Sequence, residues 1–254
     1  MTDIMEKNSI AIKSAIKIET LTKIYRRSHL GRLHTTTGVK NLSLEVKTGE
    51  IFGLVGLNGS GKTTTIKLIL GLLFPTDGKI TVFGNPMPDR KKLHLIGYLP
   101  ELPYFHKKFT GKELLVFYSK LSGMDRGLIP GRIQEIAGLL EMVPYMDKRI
   151  SDYSKGMMQR LAIAQSLVHD PPLLVFDELV SGLDPLGIRE MRTLVQKLKE
   201  RGKTVFFSSH LISEVERVCD RVGILHGGSL VRVVEQTDWQ RTNLEDIFIS
   251  EVKK

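Results

Sequence analysis

Apolar residues recur along this chain at two periods, and the changes between them outline the fold. Residues 16–25 and 39–47 alternate apolar with polar positions (Ile16, Ile18; Leu42, Leu44, Val46), the spacing of half-buried strands. The polar, basic stretch 26–38 reads as the loop joining them. Residues 50–55 form a short apolar run that reads as a buried strand, and 63–74 reads as the helix after it. The turn Pro75-Thr76-Asp77-Gly78 leads into strands at 79–83 and 95–99, the second stopping at Pro100. From there to about residue 168 the period is helical: Leu114, Phe117, Tyr118 and Leu121; Ile133, Ile136, Leu139 and Leu140; Met158, Leu161, Ala164 and Leu167. Strand character returns in Pro171-Pro172-Leu173-Leu174-Val175-Phe176, an uninterrupted apolar run typical of a parallel strand buried on both faces. A helix at 186–200, a strand at 204–208, a short helix at 212–219 and a hairpin at 222–234 follow, and Asn243 opens a capped terminal helix. This succession predicts an α/β fold with a mostly parallel sheet covered on both faces, into which 101–168 is inserted as a helical block.

Composition narrows the picture. The 254 residues suffice for one large domain, or for a core with an inserted subdomain. Apolar residues make up 41% and charged ones 26%, and no apolar run nears the roughly 18 residues that span a bilayer. Asp3, Glu6 and Lys7 open the chain without an apolar segment, so no secretory signal is expected. The single cysteine, Cys219, cannot form an internal disulfide and suits a reducing cytoplasm; it reads as buried filler on a helix. The net charge of +9 is scattered and is not interleaved with aromatic residues, which argues against a nucleic-acid platform. Solvated faces and a phosphate site account for it first, and an anionic membrane face second.

The candidate chemistry starts at Gly56-Leu57-Asn58-Gly59-Ser60-Gly61-Lys62-Thr63-Thr64, which fits G-x-x-x-x-G-K-[ST] between a strand and a helix. Glycines leave backbone N–H groups free to surround a polyphosphate, and the helix N-terminus adds its positive end. Lys62 brings a cation to the outer phosphates and the Thr63 hydroxyl is a ligand for Mg²⁺. A nucleoside triphosphate is therefore the expected ligand. Asp177 ends the apolar strand and Glu178 follows it; a strand buried on both faces tolerates charge only at its carboxyl end, where ligands sit. Asp177 is placed to hold Mg²⁺ opposite Thr63, and Glu178 to polarise the water that attacks the γ-phosphate. Without the phosphate loop, the same pair would read as acids capping a loop.

These motifs occur in one order with Tyr98-Leu99-Pro100-Glu101, Tyr153-Ser154-Lys155-Gly156-Met157-Met158-Gln159-Arg160, Ser181-Gly182-Leu183-Asp184 and Ser208-Ser209-His210. Together they resemble the ATP-binding subunit of an ABC transporter over residues 18–230. The resemblance implies a P-loop NTPase core (16–100 and 169–254), with an N-terminal antiparallel β subdomain and a helical subdomain at 101–168. It implies that adenine stacks on Tyr25 and that Ser154 and Gly156 bind the γ-phosphate of ATP held by the opposing subunit. It also implies that His210 contacts the γ-phosphate and that Asp184 communicates across the dimer. Ser154 independently looks like the N-cap of the helix running to Leu167.

Three departures stand out. Glu101 replaces the family's usual glutamine, keeping an acceptor for Mg²⁺ and water but adding negative charge; its other reading is a helix-entry acid. Lys155 and Met157 replace a glycine and a glutamine, and Leu179-Val180 replaces a more polar pair. With Lys62, Asp177, Glu178 and His210 in place, an active ATPase is expected. One phosphate loop and one signature segment require a second copy or a paralogue to complete the sites. Transport would need a separate permease, docking at the apolar cluster Leu102-Pro103-Tyr104-Phe105, which reads equally as ordinary packing. Gly97-Tyr98-Leu99-Pro100-Glu101 and the tail at 243–248 resemble export-type systems, with the chain peripheral on the inner face of the cell membrane. A soluble ATPase acting on nucleic acid or the ribosome, or a nucleotide-binding regulator, is the alternative.

Overall fold

Side chains of the central strands point by turns into two apolar layers, and the rest of the molecule packs against one layer or the other. The computed structural model describes residues 13–29, 32–180 and 183–253; the charged start of the chain and Ser181-Gly182 lie outside the described residues. In chain order the elements are β1 (Ser14–His29), β2 (Arg32–Lys47), β3 (Ile51–Val55), α1 (Lys62–Ile69), β4 (Asp77–Val82), β5 (Asn85–Met87) and β6 (Ile96–Leu99). Then come α2 (Gly111–Leu121), α3 (Ile129–Leu139), α4 (Lys155–Leu167), β7 (Leu173–Phe176), α5 (Pro185–Glu200), β8 (Thr204–Ser209) and α6 (Ile212–Glu216). The chain closes with β9 (Arg221–His226), β10 (Ser229–Glu235), α7 (Gln236–Trp239) and α8 (Leu244–Val252).

One sheet has four strands in the order β2-β1-β4-β5, paired antiparallel. The other has six in the order β10-β9-β3-β8-β7-β6, parallel apart from the β9–β10 hairpin. Ile51, Val55, Leu174, Phe176, Val205 and Phe207 face the layer built with α2 to α5 and α8. Phe52, Leu54, Leu173, Val175 and Phe206 face α1 and the antiparallel sheet. Phe52 and Phe206 stack there with ring centroids 5.8 Å apart. Period-two alternation carries Asp177 and Ser208 onto the same side as Val175 and Phe206, toward α1. The α/β class, the mixed pair of sheets and the buried β7 run are as the sequence predicts.

The structure corrects several expectations. Residues 26–29 and 32–38 are not a loop: β1 and β2 pair through Tyr25↔Thr36, Arg26↔Thr35 and Arg27↔His34 as far as His29↔Arg32. A two-stranded ribbon takes its hydrogen bonds across the strands and needs no apolar face, so polar residues can build it. The helix expected over 63–74 ends at Ile69, because Gly71 turns left-handed (φ +67°) and the N–H groups of Leu72 and Leu73 both fold back onto the Lys67 carbonyl. Leu72 and Phe74 are consequently exposed. In α2 the core is reached by Leu114 and Leu115, whereas Phe117 and Leu121 face outward. Cys219 is buried as expected, but just beyond α6 rather than on it.

Candidate functional site

The carboxyl ends of β3, β6, β7 and β8 open onto a cleft of about 470 Å³. Its floor is the loop after β3. Gly61 has φ +109°, which a residue with a side chain would rarely adopt, and it serves as the N-cap of α1 without any side-chain cap. The first-turn N–H groups of α1 are thus available to an anion. Ser60 Oγ, inside the loop, is buried with no hydrogen-bond partner among the described residues. The β9–β10 turn braces the loop through the Gly228 N–H, which donates to the Ser60 carbonyl at 3.0 Å.

Lys62 is almost wholly buried. Its Nζ donates to the Gly56 carbonyl at 2.8 Å and lies 3.6 Å from Glu178 Oε1. Thr63 Oγ1 donates to Asp177 Oδ1 at 3.3 Å, so the end of β7 and the start of α1 meet as expected. Ser208 Oγ donates to the same Asp177 oxygen at 2.7 Å and accepts from the Glu178 N–H at 3.0 Å. One hydroxyl at the end of β8 therefore holds both acids. Glu178 has φ +54°, a left-handed backbone that costs a non-glycine residue about 1 kcal/mol or more and is typical of functional positions. Its Oε2 meets His210 Nδ1 at 2.8 Å.

Tyr25 forms the far wall. Its hydroxyl lies 3.3 Å from Thr64 Oγ1, and its ring lies so close to Gly38 that a Cβ there would come within 2.6 Å of it. Thr36 and Thr37, on the strand paired with Tyr25, line the same cleft, as do Asn58, Gly59 and Glu101. Tyr98 sits beneath: burial pushes its phenol above the usual range, and the nearby Asp177 and Glu101 carboxylates push the same way.

Ser154, Gly156 and Asp184 are not in this cleft. They line a second one, of about 580 Å³, with which the first shares no lining residue. Ser154 caps α4 through the Met157 N–H (3.3 Å), and Asp184 caps α5 through the Gly187 N–H (2.7 Å). Leu57 is exposed at the crest of the phosphate loop. Two contributors had escaped the sequence reading: the Ser208 bridge, and Gln159, whose side-chain amide donates to the Leu179 carbonyl at 3.1 Å. Leu179 and Val180 are buried in the core, which accounts for apolar residues after Glu178.

A family profile described as ABC transporter matches residues 39–181. The bacitracin transport ATP-binding protein BcrA of Bacillus licheniformis is 41% identical over 226 residues, 88% of this chain and 70% of that protein. The chain belongs to the ABC transporter family of ATP-binding proteins. This cassette is thereby an ABC-type ATPase with a P-loop fold. The ABC transporter ATP-binding protein all4389 of Nostoc sp. is 43% identical over 86% of this chain, which spans 65% of that relative's length. Among solved structures, an ATP-binding subunit of an ABC transporter superposes with a TM-score of 0.79 at 27% identity, covering 95% of this chain and all of that one. The dimeric cassette MJ0796 bound to ADP and Pi gives 0.77 at 25% identity, over 87% of this chain and 98% of that one. Among the described residues of the cassette, no helix is long and apolar enough to cross a membrane.

Proposed function

We propose that this chain binds and hydrolyses ATP to power transport, in the export direction, through a separate membrane permease. ATP closes it against a second copy or a paralogue, and it works in the cytoplasm, on the inner face of the membrane. The observation that carries this reading is that the phosphate loop and the Ser154 cap of α4 line two clefts with no residue in common. In this reading a triphosphate lying on the uncapped start of α1 meets Ser154 and Gly156 of a neighbouring chain. The dimeric MJ0796 cassette supports that arrangement, and the bacitracin transport protein BcrA supports a transport role.

In this reading the loop 56–61 and the N–H groups of Lys62, Thr63 and Thr64 hold the phosphates, with adenine on Tyr25. Thr63, Asp177 and Glu101 offer hard oxygen donors of the kind Mg²⁺ takes. No three His, Cys, Asp or Glu among the described residues could hold a metal by themselves, so phosphate oxygens would complete its shell, as is usual for this ion. Bound there, Mg²⁺ would neutralise charge on the transferring phosphoryl group. Glu178 takes the proton of the attacking water, His210 orients it and reaches the γ-phosphate, and Asp184 relays contact across the dimer. Residues 101–168 act as a helical unit on the core formed by 16–100 and 169–254. Leu102 and Tyr104, 84% and 86% exposed, would receive cytoplasmic helices of the permease.

Phosphate release from the purified chain, compared with Glu178→Gln, tests the chemistry; equal release by both proteins would leave only a nucleotide-binding regulator. Gentle detergent extraction tests the setting, and a multi-span membrane protein should accompany the chain. Recovery only with RNA or DNA would overturn transport.

A further inference from the structure

The nucleotide cleft is poor in free positive charge. Of the described residues lining it, Lys62 is the only lysine or arginine, and Glu178 already stands 3.6 Å from it. Against this one paired cation are three carboxylates: Glu178, Asp177 hydrogen-bonded to Thr63, and Glu101 on the exposed rim. Glu101 lines the same cleft as Thr63, whose hydroxyl meets Asp177 at 3.3 Å. A free triphosphate carries about four negative charges, which the loop N–H groups and Lys62 offset only in part against these carboxylates. Uncompensated like charge in a partly desolvated cleft is costly, and screening by salt is weaker there than on an open surface.

Asp177 and Glu178 are needed for the chemistry proposed above, but Glu101 is not: a neutral amide would supply the same oxygen acceptor. Its charge must therefore do something else. We propose that Glu101 makes nucleotide binding conditional on the divalent cation, so that the cleft admits Mg·ATP and rejects metal-free ATP. The carboxylate repels the bare phosphates and attracts the cation that accompanies them. Nucleotide and metal affinities are then linked, each raising the other by the same factor. The inference rests on the ATPase reading, and its test separates the two.

The experiment is equilibrium titration of the full chain with the non-hydrolysable analogue adenylyl imidodiphosphate, once in excess EDTA and once in excess Mg²⁺. The chain should bind at least tenfold more tightly with Mg²⁺. Glu101→Gln should gain about tenfold in the EDTA arm, about 1.4 kcal/mol, and change much less in the Mg²⁺ arm. Glu101→Ala should gain similarly in EDTA, and Glu200→Gln, an exposed acid away from the cleft, should gain nothing. Equal binding by the unaltered chain in the two arms overturns the proposal and leaves the ATPase reading standing. So does an unchanged EDTA affinity in both Glu101 variants, or an equal gain in Glu200→Gln. Absence of binding in both arms overturns the ATPase reading together with the proposal.

Discussion

Lys62 Nζ lies 3.6 Å from Glu178 Oε1, with side-chain exposures of only 7% and 10%. The loop cation is thus paired with the very acid proposed to activate water, while His210 holds the other oxygen of that acid at 2.8 Å. A γ-phosphate arriving at Lys62 would displace Glu178 and leave its carboxylate free to accept a proton. Binding and arming of the base become one event.

Glu178→Gln should therefore leave ATP affinity unchanged or raised, because Lys62 loses a competitor. Phosphate release should fall by about 10²–10⁴-fold, the usual worth of a positioned base. An ATP-stabilised dimer should accumulate on a sizing column. A variant that stays monomeric at every ATP concentration would remove the support for a clamp.

Gly38→Ala should weaken ATP binding chiefly through Tyr25, with a lesser contact of 3.0 Å to the Thr64 methyl group. The new Cβ would come 2.6 Å from the Tyr25 ring and push it from its place beside Thr64. Aromatic stacking contributes about 0.5–1.5 kcal/mol beyond area burial, which corresponds to a loss of roughly 2–10-fold in affinity. Titration with ATP and with inorganic triphosphate distinguishes the causes, since only the former should suffer.

Lys155→Glu should change two measurements in opposite directions. Lys155 opens α4, whose first turn holds no acidic residue, and a cation there opposes the helix dipole. An acid should stabilise the isolated chain by about 0.3–1 kcal/mol in urea unfolding. The same acid would face the neighbour's γ-phosphate, so ATP-driven dimerisation should weaken. Dimerisation as strong as before would place Lys155 outside the interface.

Stability should decline on mild acidification, and His169 should account for part of it. Burial lowers its pKa below the ordinary 6.5, aided by His94 and Arg132, against the Ile96 carbonyl and Asp170. The folded chain therefore prefers a neutral ring. The stability this contributes is complete above about pH 6.5 and is lost as pH falls through the lowered value. Urea unfolding at pH 7 and pH 5 should show the drop, and His169→Gln, which keeps a donor for the Ile96 carbonyl 3.2 Å away, should flatten it. An identical pH profile in the variant would assign the loss to other groups.

The site was legible where local chemistry dictates local structure. A loop needing left-handed glycines, an apolar strand ending in Asp177, and the caps Ser154 and Asn243 each follow from a few adjacent residues. What escaped depends on partners distant in sequence. The extension of β1 and β2 rests on cross-strand hydrogen bonds between polar residues, which leave no apolar period to read. Ser208 becomes a bridge only because β8 lies beside β7 in the register that brings it to Asp177 and Glu178. The outward turn of Phe117 and Leu121 follows from which face of α2 meets α3 and α4, a choice the spacing of those residues left open.

The amide of Gln159 is fastened to the carbonyl of Leu179, immediately after Glu178. Where two copies embrace a pair of nucleotides, the beginning of α4 would attend to the neighbour's ligand while its body is anchored next to its own water-activating acid. Disturbance at either pocket would then propagate to its counterpart, so the two turnovers should be interdependent. A mixed dimer carrying one inert half should run its intact half at an altered pace, rather than simply delivering fifty per cent of the original output.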